Sequence, residues 1–207
     1  SVCNNHHQKP NEGEDMQMFE RDVPGENKAG LSGQSIGNLP LETCETMNGM
    51  WGYKVEDQNY KSTQELIQLL VRTAAKGANL LLNIGPQPDG NLPNAALERL
   101  RSMGEWLHSR AGESIYGTKA GSVAMGDSIV STQSNDGKCL YIHLLKAQTS
   151  ATSITLPMEV HRFKRVTTLM NSEAVTYKYD KKRKQTTFYL PKRKENELTD
   201  FIIKLNK

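Results

Sequence analysis

The chain has 207 residues, of which 36% are apolar and 24% charged, and a formal net charge of +3. This is long enough for one large or two ordinary domains with a buried core, and no apolar run approaches the roughly 20 residues that a membrane-spanning helix requires. The net charge hides an asymmetry: residues 1–159 carry 13 basic and 18 acidic side chains, residues 160–207 carry 13 and 5. Two charge regimes predict two structural units. Cys3, Cys44 and Cys139 lie far apart with no CxxC spacing, so packed thiols are expected rather than a zinc site or a disulfide framework. No metal or other cofactor is expected.

The chain opens at SVCNNHHQKP, without an initiating Met and already in mid-pattern, so it is expected to be the carboxyl-terminal part of a longer protein. His6 and His7 are adjacent, and on a strand they would point to opposite faces. That makes them poor partners for one metal, and each is read as a hydrogen-bonding residue able to reach a substrate hydroxyl. Next comes GEDMQMFERDVPGE, residues 13–26, where Glu20 stands between Phe19 and Arg21 instead of in a solvated acidic run. Met18 and Phe19 would supply the apolar surroundings that suit a general acid. The competing reading is an ion pair with Arg21 or a plain loop role.

LETCETMNGMWGY, residues 41–53, predicts a strand with Trp51 near its carboxyl end, the end at which α/β folds gather their sites. An indole there offers a flat face to the C–H side of a sugar, although a structural Trp is the competing reading. In KSTQELIQLLVRTAAKGANLLLNIGPQPDG, residues 61–90, Ser62 and Glu65 form a capping box, and Leu66, Leu69, Leu70 and Thr73 follow at helical spacing. Gly77 should end that helix. LLLNI then reads as a strand apolar on both faces, as in a buried parallel sheet. A second helix is predicted from about Asn94 to Arg110, with Leu97, Leu100, Gly104 and Leu107 on one stripe and Trp106 in the core or in helix packing.

From about Thr118 the pattern changes to short β-rich runs, among them KCLYIHLL, SITLP, FKRVTTLM, TYKYD, TTFYLP and FIIKL. Such runs with turn signals between them predict an antiparallel β-sandwich. His143 is read as a strand residue. The basic turn KYDKKRKQ is read as a solvated hairpin, because Tyr177, Tyr179, Phe188 and Tyr189 fall within predicted strands instead of forming an exposed stacking track. No nucleic-acid partner is therefore expected.

The series GEDMQMFERDVPGEN, LETCETMNGMWGY, YKSTQELIQLLVRTAAKGANLLLNIGPQPDGNLP and MGEWLHSRAGESIYGT resembles the carboxyl-terminal half of the α-L-fucosidases of glycoside hydrolase family 29, over residues 1 to about 118. The resemblance implies an α/β fold class: the carboxyl-terminal part of a (β/α)8-like catalytic barrel over residues 1–117, followed by an antiparallel β-sandwich over 118–207. It also implies a retaining exo-α-L-fucosidase that works through a fucosyl-enzyme ester, with a fucosylated glycan as substrate and a secreted or periplasmic location.

In the family a Glu closing a D-F/Y-x-T-x-E segment serves as acid/base. Asp15 and Glu20 match its two acidic ends, so Glu20 takes that role by resemblance. Trp51 matches the aromatic of the W/F-G-Y motif that lies against the fucose ring and its methyl group. Two departures stand out. No residue matches the nucleophilic Asp, which in the family lies on an upstream barrel strand. His6 and His7 stand where an N-x-R run is expected, so either the register or the sugar-binding pattern differs there. A non-catalytic glycan-binding or scaffold fragment of the same fold is the alternative.

Overall fold

The computed structural model describes residues 3–4, 12–145, 152–193 and 199–207. By its contacts the chain divides into two compact units, Ser1–Gly104 and Glu105–Lys207. The division falls inside the second helix, and the strand-rich region begins at Thr118.

In the first unit, β1 (Cys3–Asn4), β2 (Met16–Glu20), β3 (Leu41–Thr46) and β4 (Ala78–Asn83) form a parallel sheet in the order β1-β2-β3-β4. Parallel neighbours need a crossover between them. Between β3 and β4 it is α1 (Thr63–Ala75). The Ser62 side chain accepts the Glu65 amide at 3.2 Å, and Glu65 Oε2 accepts the Ser62 amide at 2.8 Å, so the capping box closes as expected. Gly77, at φ +74°, ends the helix in the left-handed conformation that costs glycine little.

Register sorts this sheet into two faces, because residues paired across parallel strands share a side. Gln17, Phe19, Thr43 and Ala78 lie on one face and are all buried. Met18, Glu20, Glu42, Cys44 and Leu81 lie on the other. The second face corrects one expectation. LLLNI is not buried on both sides: Leu81 is 50% exposed, and Leu80 and Leu82 are only partly buried. β4 is the last strand of the described sheet, so it has a hydrogen-bonded neighbour on one side only.

α2 (Asn94–His108) also departs from its expected stripe, since it buries Ala96 and Met103 while Leu100 is exposed. The burying side is thus rotated away from Leu100. Arg99 ties this helix to the start of α1, donating from Nε to the Lys61 carbonyl at 2.5 Å.

The second unit pairs its strands antiparallel. β5 (Thr118–Ala120), β6 (Ile129–Ser134), β7 (Cys139–Leu144), β9 (Arg165–Thr168) and β12 (Phe201–Asn206) form one sheet, in the order β5-β6-β7-β12-β9. β8 (Ser153–Leu156), β10 (Thr176–Asp180) and β11 (Gln185–Tyr189) form the other, in the order β10-β11-β8. Leu140, Ile142 and Ile203 from the first sheet share one core with Ile154, Leu156 and Phe188 from the second, which is the expected sandwich. The alternate residues Tyr141 and Ile202 face the other way and pack with Ala111, Leu169 and Trp106. Trp106 therefore helps to cover the outer side of the larger sheet.

Candidate active site at the carboxyl ends of the parallel strands

Glu20 is the last residue of β2 and pairs with Cys44 on β3, which in turn pairs with Leu81 on β4. The three make one row across the sheet, and Glu20 is half-buried there. Strand alternation places Phe19 on the opposite face, so of the two expected apolar neighbours only Met18 shares the side of Glu20. Burial, with the charge of Glu20 added, pushes the Cys44 thiol above its ordinary value and keeps it protonated. Cys44 and Cys139 are free thiols.

Immediately after Glu20 the backbone turns sharply. Arg21 has φ +59°, a conformation uncommon outside glycine, yet its amide continues the ladder to the Cys44 carbonyl at 2.8 Å. The turn sends the Arg21 side chain toward the loop that follows β3. Its Nη2 donates to the Gly49 carbonyl at 2.8 Å, and its Cζ lies 5.1 Å from the centre of the Trp51 ring, within cation–π range. The sequence offered Arg21 only as an ion-pair partner for Glu20. The structure makes it the link between the Glu20 strand and Trp51.

The loop carrying Trp51 is held at several points over the end of the sheet. Asn83, at the end of β4, donates to the Trp51 carbonyl at 2.6 Å, and Thr46 Oγ1 donates to the Met50 carbonyl at 2.9 Å. Asp57 accepts the Gly49 amide at 2.8 Å, and Lys61 Nζ donates to the Thr46 carbonyl at 2.7 Å beside the buried carboxylate of Glu45. Gly85 permits the closest approach: a Cβ there would fall on the backbone of Gly52 and Tyr53. A glycine two residues after a strand that ends in Asn was the sequence signal for this approach.

The segment after β2 is fixed with equal care. Asp22, 2% exposed, accepts the amides of Lys28 and Ala29 at 3.0 and 3.1 Å. Ser32 and Gln34 donate to the carbonyls of Glu20 and Met18 at 3.1 and 2.7 Å. Asp22 is thus a loop-closing carboxylate, whereas Glu20 stands on the more open face of the sheet. His6 and His7 lie outside the described residues. Among the described residues no three His, Cys, Asp or Glu side chains group as a metal site, and no helix is long and apolar enough to cross a membrane.

A model of the alpha-L-fucosidase family matches residues 1–113. Plasma alpha-L-fucosidase of Rattus norvegicus is 46% identical over 80 residues, 37% of this chain and 17% of that protein. Alpha-L-fucosidase of Branchiostoma floridae is 42% identical over 81 residues, 38% of this chain and 18% of that protein. The chain therefore spans a minor part of the curated relatives it matches. Among solved structures, alpha-L-fucosidase isoenzyme 1 from Paenibacillus thiaminolyticus superposes with a TM-score of 0.76 at 27% identity, over 93% of this chain and 45% of that one. A Thermotoga maritima alpha-fucosidase in complex with a mechanism-based inhibitor gives 0.75 at 23% identity, over 100% of this chain and 45% of that one, a likeness of fold. With more than half of the residues matched by the family model, the chain belongs to the alpha-L-fucosidase family.

Proposed function

We propose that the chain is the carboxyl-terminal part of a retaining exo-α-L-fucosidase that hydrolyses terminal α-L-fucosyl linkages of glycans. In this reading the parallel sheet of the first unit belongs to a (β/α)8-like barrel, and the protein is secreted or periplasmic. The observation that carries the proposal is the link Glu20–Arg21–Trp51 at the carboxyl ends of β2 and β3, inside the family-matched segment.

Retaining hydrolysis needs two carboxyl groups. Glu20 is the acid/base: it protonates the departing glycosidic oxygen as the first bond breaks, then takes a proton from the water that cleaves the glycosyl-enzyme. The nucleophile is an Asp outside residues 1–207, so these residues alone would lack hydrolytic activity. Trp51 lies against the fucose ring and methyl group, oriented by Arg21 and Asn83, and His6 and His7 reach sugar hydroxyls.

The test is the stereochemistry of turnover by the full-length protein on an α-L-fucoside, followed by proton NMR. Fucose released first as the α anomer supports the reading, and first release of the β anomer refutes retention. Fucose binding without release would favour a non-catalytic glycan-binding protein.

Trp51→Ala in the full-length protein is expected to raise KM for an α-L-fucoside by about tenfold, because an aromatic contact of this kind contributes about 0.5–1.5 kcal/mol beyond its buried area. kcat should change less, since both carboxyl groups remain. The loss should be larger for fucose than for an analogue without the C6 methyl, and equal losses for the two would assign Trp51 a structural role only.

A further inference from the structure

The basic hairpin plays no part in the fucosidase reading; it is the expected exposed turn between antiparallel β10 and β11, and the sheet face beside it adds to it. The strand pairing puts Thr176, Tyr189 and Ser153 in one cross-strand row, and Lys178, Thr187 and Thr155 in the next. Directly paired residues share a face, and Phe188 and Ile154 of the intervening row are in the core, so these six side chains lie on the outer face of the β10-β11-β8 sheet. Tyr189 is 48% exposed, although its position in a strand suggested otherwise. The hydroxyls of Thr155 and Thr187 are already paired at 2.8 Å.

At the end of this face lie Lys181, Lys182, Arg183 and Lys184, all exposed. Their nearest acid in sequence is occupied with the turn itself: Asp180 Oδ1 accepts the amides of Lys182 and Arg183 at 2.9 and 3.1 Å. Lys178, Lys181, Lys182, Arg183 and Lys184 form no ion pair among the described residues. Five cations are thus presented on a preformed hairpin whose residues 174–194 include a single acid, Asp180. From the turn to Tyr189 the strand rises about 3.3 Å per residue, giving a straight track of about 13–17 Å.

We propose that the outer face of the β10-β11-β8 sheet and its basic turn bind a sulfated glycan chain. The cations call for closely spaced anions that stay charged at every physiological pH, which sulfate esters provide. Tyr189 offers a flat face for one sugar ring, and the Ser and Thr hydroxyls offer partners for sugar hydroxyls. Single-stranded nucleic acid fits less well, because it uses successive aromatic platforms. The other exposed tyrosine of this sheet, Tyr177, pairs with Phe188 and so belongs to the opposite face. This surface goes beyond the fucosidase reading and does not depend on it, because binding is read without turnover.

The test uses the full-length protein with three probes, heparin, polygalacturonate and single-stranded oligo-dT, titrated at several salt concentrations. The proposal expects heparin to bind tightest, with affinity falling as salt rises. Replacing the turn (Lys181→Ser, Lys182→Ser, Arg183→Ser and Lys184→Asn, the last because Asn tolerates the φ of +52° there) should weaken heparin binding by about tenfold or more. Tyr189→Ala should weaken it about threefold to tenfold, and Tyr177→Ala should leave it unchanged. The turn variant and Tyr189→Ala should keep the parent's thermal unfolding, since those side chains lie on the outer face or in the exposed turn. Heparin binding that is absent or survives the turn variant overturns the proposal. So does tighter binding of either other probe, or a Tyr189→Ala variant that binds like the parent.

Discussion

Glu20→Gln in the full-length protein is expected to slow hydrolysis of natural fucosides by about 10²- to 10⁴-fold, the range typical of general acid–base catalysis. The amide preserves the shape of the side chain but has no proton to give. A natural sugar oxygen must be protonated as its bond breaks, so it feels the loss fully. A nitrophenolate leaves unaided, so formation of the glycosyl-enzyme from an aryl fucoside should suffer far less. The same substitution removes the base that activates water in the second step. Azide needs no such base and should restore turnover, giving a fucosyl azide that chromatography can identify. Asp22 is the informative contrast, because its carboxylate holds the amides of Lys28 and Ala29. Asp22→Asn should lower stability without leaving-group dependence or azide rescue. If Asp22 or Glu14 shows both effects and Glu20 neither, the assignment of the acid/base is overturned.

Asp200→Ala is expected to destabilise the sandwich unit by about 1–3 kcal/mol, the usual effect of leaving a buried hydrogen-bonding group without its partner. His143 and Asp200 are fully enclosed, with Nδ1 and Oδ2 2.7 Å apart. On the other side of the ring, Nε2 lies 3.2 Å from Thr132 Oγ1, whose single proton goes to the Ser114 carbonyl at 2.6 Å. Nε2 must then be the donor to Thr132, while Nδ1 and Asp200 Oδ2 are joined by the hydrogen bond on the other side of the ring. Removing the carboxyl leaves Nδ1 buried opposite a cavity. Asp200→Asn should recover most of the loss, because its amide N–H can donate to the lone pair of a neutral Nδ1 while Nε2 still serves Thr132. Urea unfolding of the three proteins would measure both differences. An Asn variant as unstable as the Ala variant would mean that charge, not hydrogen bonding, holds the pair.

Neither partner of that pair was legible as one. His143 reads correctly as a strand residue, but Asp200 is 57 residues away and meets it only because β12 pairs with β7. The candidate site divides in a similar way. Glu20 and Trp51 are singled out by their motifs alone, and the structure adds where each stands. The apolar neighbourhood assigned to Glu20 was half mistaken, because adjacency along a strand means opposite faces and Phe19 is buried on the far side. Arg21 was missed as the link to Trp51, since nothing local announces a left-handed arginine. His6 and His7 keep the roles that resemblance gives them, as proposals.

By itself the sequence determined the features whose causes lie within a few residues. The Ser62–Glu65 capping box, the stop at Gly77 and the alternation of Leu140, Tyr141 and Ile142 all depend on hydrogen bonds or side-chain directions between near neighbours. The tertiary structure alone decided what depends on cross-strand pairing: that Leu81 lies half exposed on a strand bonded on one side, that Tyr189 faces outward, and that the Arg21 guanidinium lies over Trp51. The physical reason is that register and position in a sheet are set by residues far apart in the chain, so the same apolar or aromatic side chain is core or surface according to which strand lies beside it.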